Sequence, residues 1–392
     1  MKKSRKLLCM LLALVMVVSL LPVMAFAADE DIAAEEVVPA SVEEISPETA
    51  GIITDVFAKL PNYLVVVKTP WGMLAKGAQV VLYNQNSNTI VASEVATYGV
   101  AVFTKDQRQN AYTMSATWTQ KETGLTFKSA PRISVGKTLD MDVITVHPTF
   151  RIGLKDTDHN AYISGYPDGL VRPNNTLTRA EAAQIIFELM TDESKAQYAK
   201  KTGKTFIDVG KDHWAYEAIT MMTKANVLVG VGDGRFDPDA VMTREQFATM
   251  IAQLFMIEIN QPIGGFIFKD LNGGFADKYI SFLYMLGILE GKGDNMFGPK
   301  DSLTRAQAIT VVNKLIGRLP GEGTTSFGAV ADQMKTWPDN MDTSAWYYAA
   351  IQEATNSHDY TLDVNFNTFG DLKGDIFQNI KHPVTERWTL IR

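Results

Sequence analysis

Between about Leu60 and Val146 the apolar residues come in short, β-branched runs divided by turn residues. The runs are YLVVVK (63–68), AQVVLY (78–83), TIVASE (89–94), VAVF (100–103), YTMSATW (112–118), LTFK (125–128) and LDMDVITV (139–146). Several alternate apolar and polar positions, the period of a strand with one buried face. Seven short strands at this spacing predict an antiparallel β-sandwich of about 90 residues. From Thr149 onward the pattern changes, and the runs AAQIIFELM, FATMIAQLF and AITVVNKLI predict apolar helices. The start of the chain differs from both. Lys2, Lys3, Arg5 and Lys6 precede an apolar run from Leu7 to Met24, closed by Ala25-Phe26-Ala27. That is the pattern of a secretory signal cut after Ala27, with an uncleaved anchor as the alternative because the run is almost long enough to span a bilayer. Residues 28–50 hold eight acidic residues and no Lys or Arg, and read as a disordered spacer.

The helical part repeats itself. GYPDGLVRPNNTLTRAE (165–181), GVGDGRFDPDAVMTREQ (230–246) and GKGDNMFGPKDSLTRAQ (291–307) align without a gap. Five positions are identical in all three: Gly165/Gly230/Gly291, Asp168/Asp233/Asp294, Pro173/Pro238/Pro299, Thr178/Thr243/Thr304 and Arg179/Arg244/Arg305. A second motif precedes copies two and three: Phe206-Ile207-Asp208 then His213-Trp214-Ala215-Tyr216, and Phe268-Lys269-Asp270 then Phe275-Ala276. Copy one lacks it. Its counterpart stands at the far end of the helical part, where Trp337-Pro338-Asp339 precedes Trp346-Tyr347-Tyr348-Ala349-Ala350-Ile351. Three C-terminal and three N-terminal half-repeats, permuted by half a unit, predict a closed ring with no exposed repeat ends.

Each copy ends in a helix start. Thr178, Thr243 and Thr304 are N-caps, and Glu181, Gln246 and Gln307 three positions on close capping boxes worth about 1 kcal/mol. The arginine between them has no such account, since the first turn of a helix disfavours a cation by a few tenths of a kcal/mol. Two readings stand for it. Arg179, Arg244 and Arg305 pair across the loop with Asp168, Asp233 and Asp294, or they join the free N–H groups of the helix start in binding a ligand carboxylate. The G-x-x-D-G turns, with Gly165, Gly230 and Gly291, read first as turn formers and second as ligand contacts. Trp214 and Trp346 are expected in the core, with stacking on a sugar ring as the alternative.

Composition narrows the class. A chain of 392 residues, 46% hydrophobic and 21% charged, suits two or three soluble globular domains. The net charge is −7, and −11 without the four signal cations, so nucleic acid is not expected as a partner. Cys9 is the single cysteine and lies inside the signal, leaving the exported part without a disulfide, a Cys metal site or a Cys nucleophile. An exported chain without disulfides fits a Gram-positive surface, and no second span predicts membrane contact after signal cleavage. Asp156-x-Asp158-x-Asn160 opens like a calcium loop, but Ala161 replaces the required Gly and no Glu follows at position twelve. The five histidines form no HExxH, and neither G-x-S-x-G nor a P-loop occurs. No metal, no cofactor and no enzymatic activity are expected.

F-x-D, H-W-A, G-x-x-D-G-x-F-x-P and T-R-A-E resemble the motifs of the S-layer homology (SLH) domain of bacterial surface proteins, over roughly residues 149–360. The combination of AYISGYPDGLVRP…LTRAEAAQIIFEL with WYYAAIQEATNSHDY resembles a Firmicutes arrangement. GAQVVLYNQNSNTIVASEVATYGVAVF is similar to transthyretin-like or collagen-adhesin B-type modules. The resemblance implies an antiparallel β-sandwich followed by an all-α pseudo-threefold trimer of helix–loop–helix repeats closed by the C-terminal helix. Its segments are 1–27 (signal), 28–58 (spacer), 59–148 (β module), 149–200, 201–260 and 261–320 (three repeats) and 321–392 (completion of repeat one). It further implies non-covalent anchoring to the cell wall, the partner being an anionic, pyruvylated secondary cell-wall polysaccharide held in grooves between the prongs. The β module is left for a protein partner. Arg179, Arg244, Arg305, Asp168, Asp233, Asp294, Gly165, Gly230, Gly291, Trp214 and Trp346 are the candidate contacts, with the grooves of Arg179 and Arg244 expected first. Copy three departs from the family with Phe275 for Trp and Asn295 for Gly. The alternative function is a self-assembling S-layer subunit whose β module makes the lattice contacts; a hydrolase hidden in residues 60–146 lacks the polar clusters it would need.

Overall fold

The computed structural model describes residues 62–364 and 384–392, apart from positions 85–86, 88, 98, 131–132, 137–140, 157, 257, 261, 263–264, 266, 319, 322 and 325. The expected signal segment with Cys9, and the acidic spacer, lie outside the described residues.

The β-rich part contains β1 (Asn62–Lys68), β2 (Ala78–Tyr83), β3 (Ile90–Ala96), β4 (Val100–Thr104), β5 (Thr113–Thr119), β6 (Thr126–Lys128), β7 (Ile133–Ser134), β8 (Met141–Thr145) and β9 (His147–Pro148). A short helix, α1 (Lys105–Asn110), follows β4. One sheet runs β4-β1-β8; the other runs β3-β2-β5-β6-β9, with β7 on β5. The sheets share a core in which Tyr63 Oη lies 3.9 Å from Met114 Sδ and Trp71 meets Phe127 edge-on. One expectation fails here. β1 pairs antiparallel with β4 but parallel with β8, from Leu64 opposite Met141 to Lys68 opposite Thr145, so the arrangement is not purely antiparallel. Val65, Val66 and Val67 are all buried, so β1 is a strand covered on both faces between two neighbours, while its direction relative to β8 is set by the path of the chain between them.

The helices that follow are α2 (Arg179–Leu189), α3 (Asp192–Ala199), α4 (Tyr216–Lys224), α5 (Arg244–Ala252), α6 (Asp277–Met285), α7 (Arg305–Leu315) and α8 (Tyr348–Thr355). They pack in pairs: α2 on α4, α5 on α6, and α7 on α8. Each pair joins a T-R-x-E/Q helix to the helix after an aromatic half-motif, and buries alanines and branched aliphatics such as Ala183, Ile186, Ile219, Ile251, Ile280, Ile309 and Ile351. Burying such a side chain contributes about 1.5–3 kcal/mol.

This region is not all-α, which corrects the second fold expectation. β10 (His358–Val364) and β11 (Val384–Ile391) form an antiparallel pair with a register shift at Asp359/Tyr360. In addition, Thr176 bridges Thr304, Thr178 bridges Val241, and Thr243 bridges Ser302. The physical reason lies in the caps. An N-cap residue must be extended, and Thr178, Thr243 and Thr304 have φ/ψ of −87/164°, −83/161° and −86/159°. Three extended segments meeting at one centre pair with each other, giving strand character to what the helical pattern left unassigned.

The β-rich part rests on the helical part. Gln120 Nε2 donates to the Met285 carbonyl at 3.1 Å, and Pro70 fills the space beside Gly317. Among the described residues no helix is long and apolar enough to cross a membrane.

Candidate functional site

The three helix starts close on one another in a cycle. Leu177 N–H donates to Leu303 O, Leu303 N–H to Met242 O, and Met242 N–H to Leu177 O, at 2.8, 2.9 and 2.8 Å. The first N–H groups of each helix bond the loop of the next copy. Arg179 and Ala180 reach Ala240 O and Pro238 O; Arg244 and Glu245 reach Asp301 O and Pro299 O; Arg305 and Ala306 reach Asn175 O and Pro173 O. The third N–H of each helix goes to its capping threonine. The helix starts therefore have no free N–H group for a ligand carboxylate; the protein itself satisfies the donors that a helix N-terminus exposes.

The arginines serve the same joints. Arg179 donates from Nε to Phe236 O (3.0 Å) and from Nη2 to Val229 O (2.7 Å). Arg244 reaches Phe297 O (2.8 Å) and Glu290 O (3.2 Å), and Arg305 reaches Val171 O (3.1 Å) and Glu181 Oε1 (3.2 Å). Each guanidinium also covers a ring: Phe236, Phe297 and Tyr166 respectively. Extending the side chain onto loop carbonyls moves its charge off the helix axis, which answers the mismatch with the macrodipole. Burial lowers the Arg179 and Arg244 pKa values from the ordinary arginine value, but an arginine remains cationic in a protein. Arg179 and Arg305 are buried; Arg244 is half-buried.

The candidate aspartates do not meet the arginines. Asp168 pairs with Arg172 at 2.7 Å, while Asp233 and Asp294 occupy left-handed turn positions with φ of 47° and 51°. The work of holding each loop falls to the aspartates of the two F-x-D motifs and of Trp337-Pro338-Asp339. Asp208 accepts from the N–H groups of Phe236 and Asp237, Asp270 from those of Phe297 and Gly298, and Asp339 from those of Val171 and Arg172. Gly165, Gly230 and Gly291 are needed for space. A Cβ there would lie 2.0 Å from the Trp337 ring, 2.7 Å from Phe206 and 2.6 Å from Phe268. Trp337 and Asp339 thus do for the loop of copy one what Phe206 and Asp208 do for that of copy two.

Burial alone would raise the Asp208 and Asp270 carboxyls, but their backbone N–H donors outweigh it and hold both below the ordinary aspartate value. A folded-state value below the unfolded one contributes stability above about pH 3.9 that is lost as pH falls through the folded value. Thermal melts are expected to show acid destabilisation of the helical part below about pH 4, shallower in an Asp208→Asn/Asp270→Asn variant. An identical pH profile in the variant would contradict that assignment.

Trp214 and Trp346 are not in the core. They are 61% and 63% exposed, and Phe275, at the same position of copy three, is 59% exposed. They precede helices α4, α6 and α8 rather than lying on a helical face, so the apolar stripe does not include them. Phe275 and Trp346 stand close to the joints they follow in sequence. Lys300 lies over Phe275, 5.9 Å from its centroid, and pairs with Glu245 at the start of α5. Asn174 Nδ2 donates to Tyr347 Oη, next to Trp346. The residue after the shared proline differs among the loops: Asn174, Asp239 and Lys300. Beside the first loop a shallow cleft of about 290 Å³ is lined by Ser164, Gly165, Tyr166, Lys335 and Trp337. A further buried group, His159, Glu353 and His358, is not legible in the sequence, because its members are up to 199 residues apart.

Fold and site together define a repeat protein: three helical units, joined head to tail, each with an exposed aromatic just before one of its helices. Residues 158–183, 205–248 and 267–309 match the S-layer homology domain, and these three segments belong to that family. A cellulosome-anchoring protein of Acetivibrio thermocellus is 35% identical over 213 residues, which is 53% of this chain and 45% of that protein. Cell surface glycoprotein 1 of the same organism is 31% identical over 232 residues, 56% of this chain and 9% of the glycoprotein. The S-layer protein sap of Bacillus anthracis is 30% identical over 128 residues, 32% of this chain and 16% of sap. The chain thus spans less than half the length of these relatives.

Proposed function

We propose that this chain is a bacterial surface protein that anchors non-covalently to the cell wall, binding an anionic secondary cell-wall polysaccharide at the joints between its S-layer homology repeats. The observation that carries the reading is the recurrence of an exposed ring, Trp214, Phe275 and Trp346, at the same place just before α4, α6 and α8. An aromatic face held outside the core is a platform for the apolar face of a sugar ring. The cationic partner is the outer edge of the guanidinium. Arg244 suits it best: it is half-buried, and Lys300 adds a second, 77% exposed ammonium beside Phe275. Arg179 follows, whereas Glu181 neutralises Arg305. A pyruvyl carboxylate on the sugar is the expected anion. Asp168, Asp233, Asp294 and the three loop glycines act indirectly, by shaping the groove walls. Names of relatives such as "cellulosome-anchoring protein" and "S-layer protein" support an anchoring role, and weak sites on one polymer add through avidity.

Trp214→Ala/Trp346→Ala is expected to reduce sedimentation with purified walls at least tenfold, with helical content and melting temperature unchanged because both rings are exposed. Walls stripped of pyruvyl groups are expected to bind the wild-type chain as weakly. Undiminished binding in both experiments would overturn the proposal.

A further inference from the structure

One buried cluster is used by none of the above. His159 lies in the loop entering copy one, Glu353 in the last turn of α8, and His358 at the start of β10; all three are buried. His159 Nδ1, Glu353 Oε1 and His358 Nε2 form a triangle with edges of 3.2, 3.4 and 3.0 Å. Glu353 Oε1 nevertheless accepts no hydrogen bond among the described residues, a costly state for a buried carboxylate oxygen. His159 Nδ1 and His358 Nε2 lie within hydrogen-bond distance of each other, a contact that an ion held between the three atoms would replace. An ion about 2.0–2.1 Å from each donor sits roughly 0.9 Å out of their plane, the geometry of three corners of a tetrahedron.

The surroundings hold the donors in place. His358 Nδ1 lies 3.0 Å from the Asn356 carbonyl, which can only accept, so Nδ1 carries the proton and Nε2 presents its lone pair to the triangle. Trp388 Nε1 donates to Glu353 Oε2 at 3.2 Å, and the Trp388 and Tyr360 rings stack on His358 and His159. Such outer contacts orient metal ligands and fix their tautomers. Arg318 Nη1 stands 3.9 Å from Glu353 Oε1, and its charge opposes a cation. Two imidazoles and one carboxylate as donors do not suit the oxygen-rich preferences of Ca²⁺ and Mg²⁺ and favour an ion bound strongly by nitrogen.

We propose that His159, Glu353 and His358 form a structural zinc site, with water in the fourth position, that fastens the β10–β11 pair and α8 to the entrance of copy one. The full-length chain, purified without a histidine tag, dialysed against Zn²⁺ and then against metal-free buffer, is expected to retain one zinc per chain by mass spectrometry. Chelation is expected to lower the melting temperature, and Co²⁺ to give the intense visible bands of a low-symmetry four-coordinate site. His159→Gln/His358→Gln is expected to abolish retention. Trp388→Phe, which keeps the stacked ring but removes the N–H, is expected to weaken affinity about 10–100-fold. Wild-type protein retaining less than roughly a tenth of an equivalent, with the spectrum of aqueous Co²⁺, would overturn the proposal whether or not the variants fold. Undiminished zinc in the double histidine variant would overturn it as well.

Discussion

A chain ending at Thr336 is expected to lose the cooperative thermal transition of its helical part, although all three T-R-x-E/Q segments remain. The truncation removes Trp337, whose ring fills the space left by Gly165, and Asp339, which accepts from Val171 and Arg172 N–H. It also removes α8, whose Ala354 carbonyl accepts from Tyr162 and Ile163 N–H and which covers α7. Deleting one large core side chain typically costs about 3–5 kcal/mol, against a total stability of about 5–15 kcal/mol. The loss therefore exceeds what the remaining contacts can hold. Because Arg305 and Ala306 of copy three bond the loop of copy one, the damage travels round the cycle instead of staying at one end. Circular dichroism melts of the truncated and full chains check this. Melting of the truncated chain at the full-length temperature would show that the C-terminal half-motif is not part of the closed unit. Asp339→Ala, which frees only two N–H groups, is expected to fall between the two.

Much of this architecture was legible in the residues, for identifiable reasons. The capping boxes at Thr178, Thr243 and Thr304 are local, three-residue devices, and the structure forms all three. The strand runs were legible because β-branched clusters between turn residues have few other uses. Direction was not: nothing within YLVVVK or LDMDVITV encodes that β1 and β8 run parallel, since that depends on the path of the chain between them. The arginines show a second limit. Their recurrence marked them, but a guanidinium suits a carboxylate ligand and a cluster of backbone carbonyls equally well, and only folding shows that loop carbonyls lie within reach. Trp214 and Trp337 make the same point in reverse. Both are tryptophans in a half-motif, yet Trp337 is buried and Trp214 exposed, because one fits a notch left by a glycine and the other precedes its helix. The histidine–glutamate cluster was invisible for a simpler reason, since its members meet only when the two ends of the helical part meet.

Arg305→Ala is expected to be the most destabilising of the three arginine substitutions. Arg305 is buried with Glu181, whose carboxylate also caps Thr178 N–H and accepts from Tyr166 Oη. Removing the cation leaves that carboxylate half-buried without its charge partner and the Val171 carbonyl without a donor. Breaking a buried pair from one side costs about 3–5 kcal/mol; taking the lower end, the helical transition should fall by roughly 6–12 °C. Arg305→Lys should recover little, because one ammonium cannot reproduce the planar fork that spans Val171 O and Glu181 Oε1. The neighbouring copies supply the control. Their counterparts of Glu181 are Gln246 and Gln307, which close the same capping box without a charge. In a Glu181→Gln background the cost of Arg305→Ala is therefore expected to shrink by about 1 kcal/mol or more, a coupling readable from a double-mutant cycle. Equal costs in the two backgrounds would show that Arg305 stabilises the fold through the Val171 carbonyl and not through Glu181.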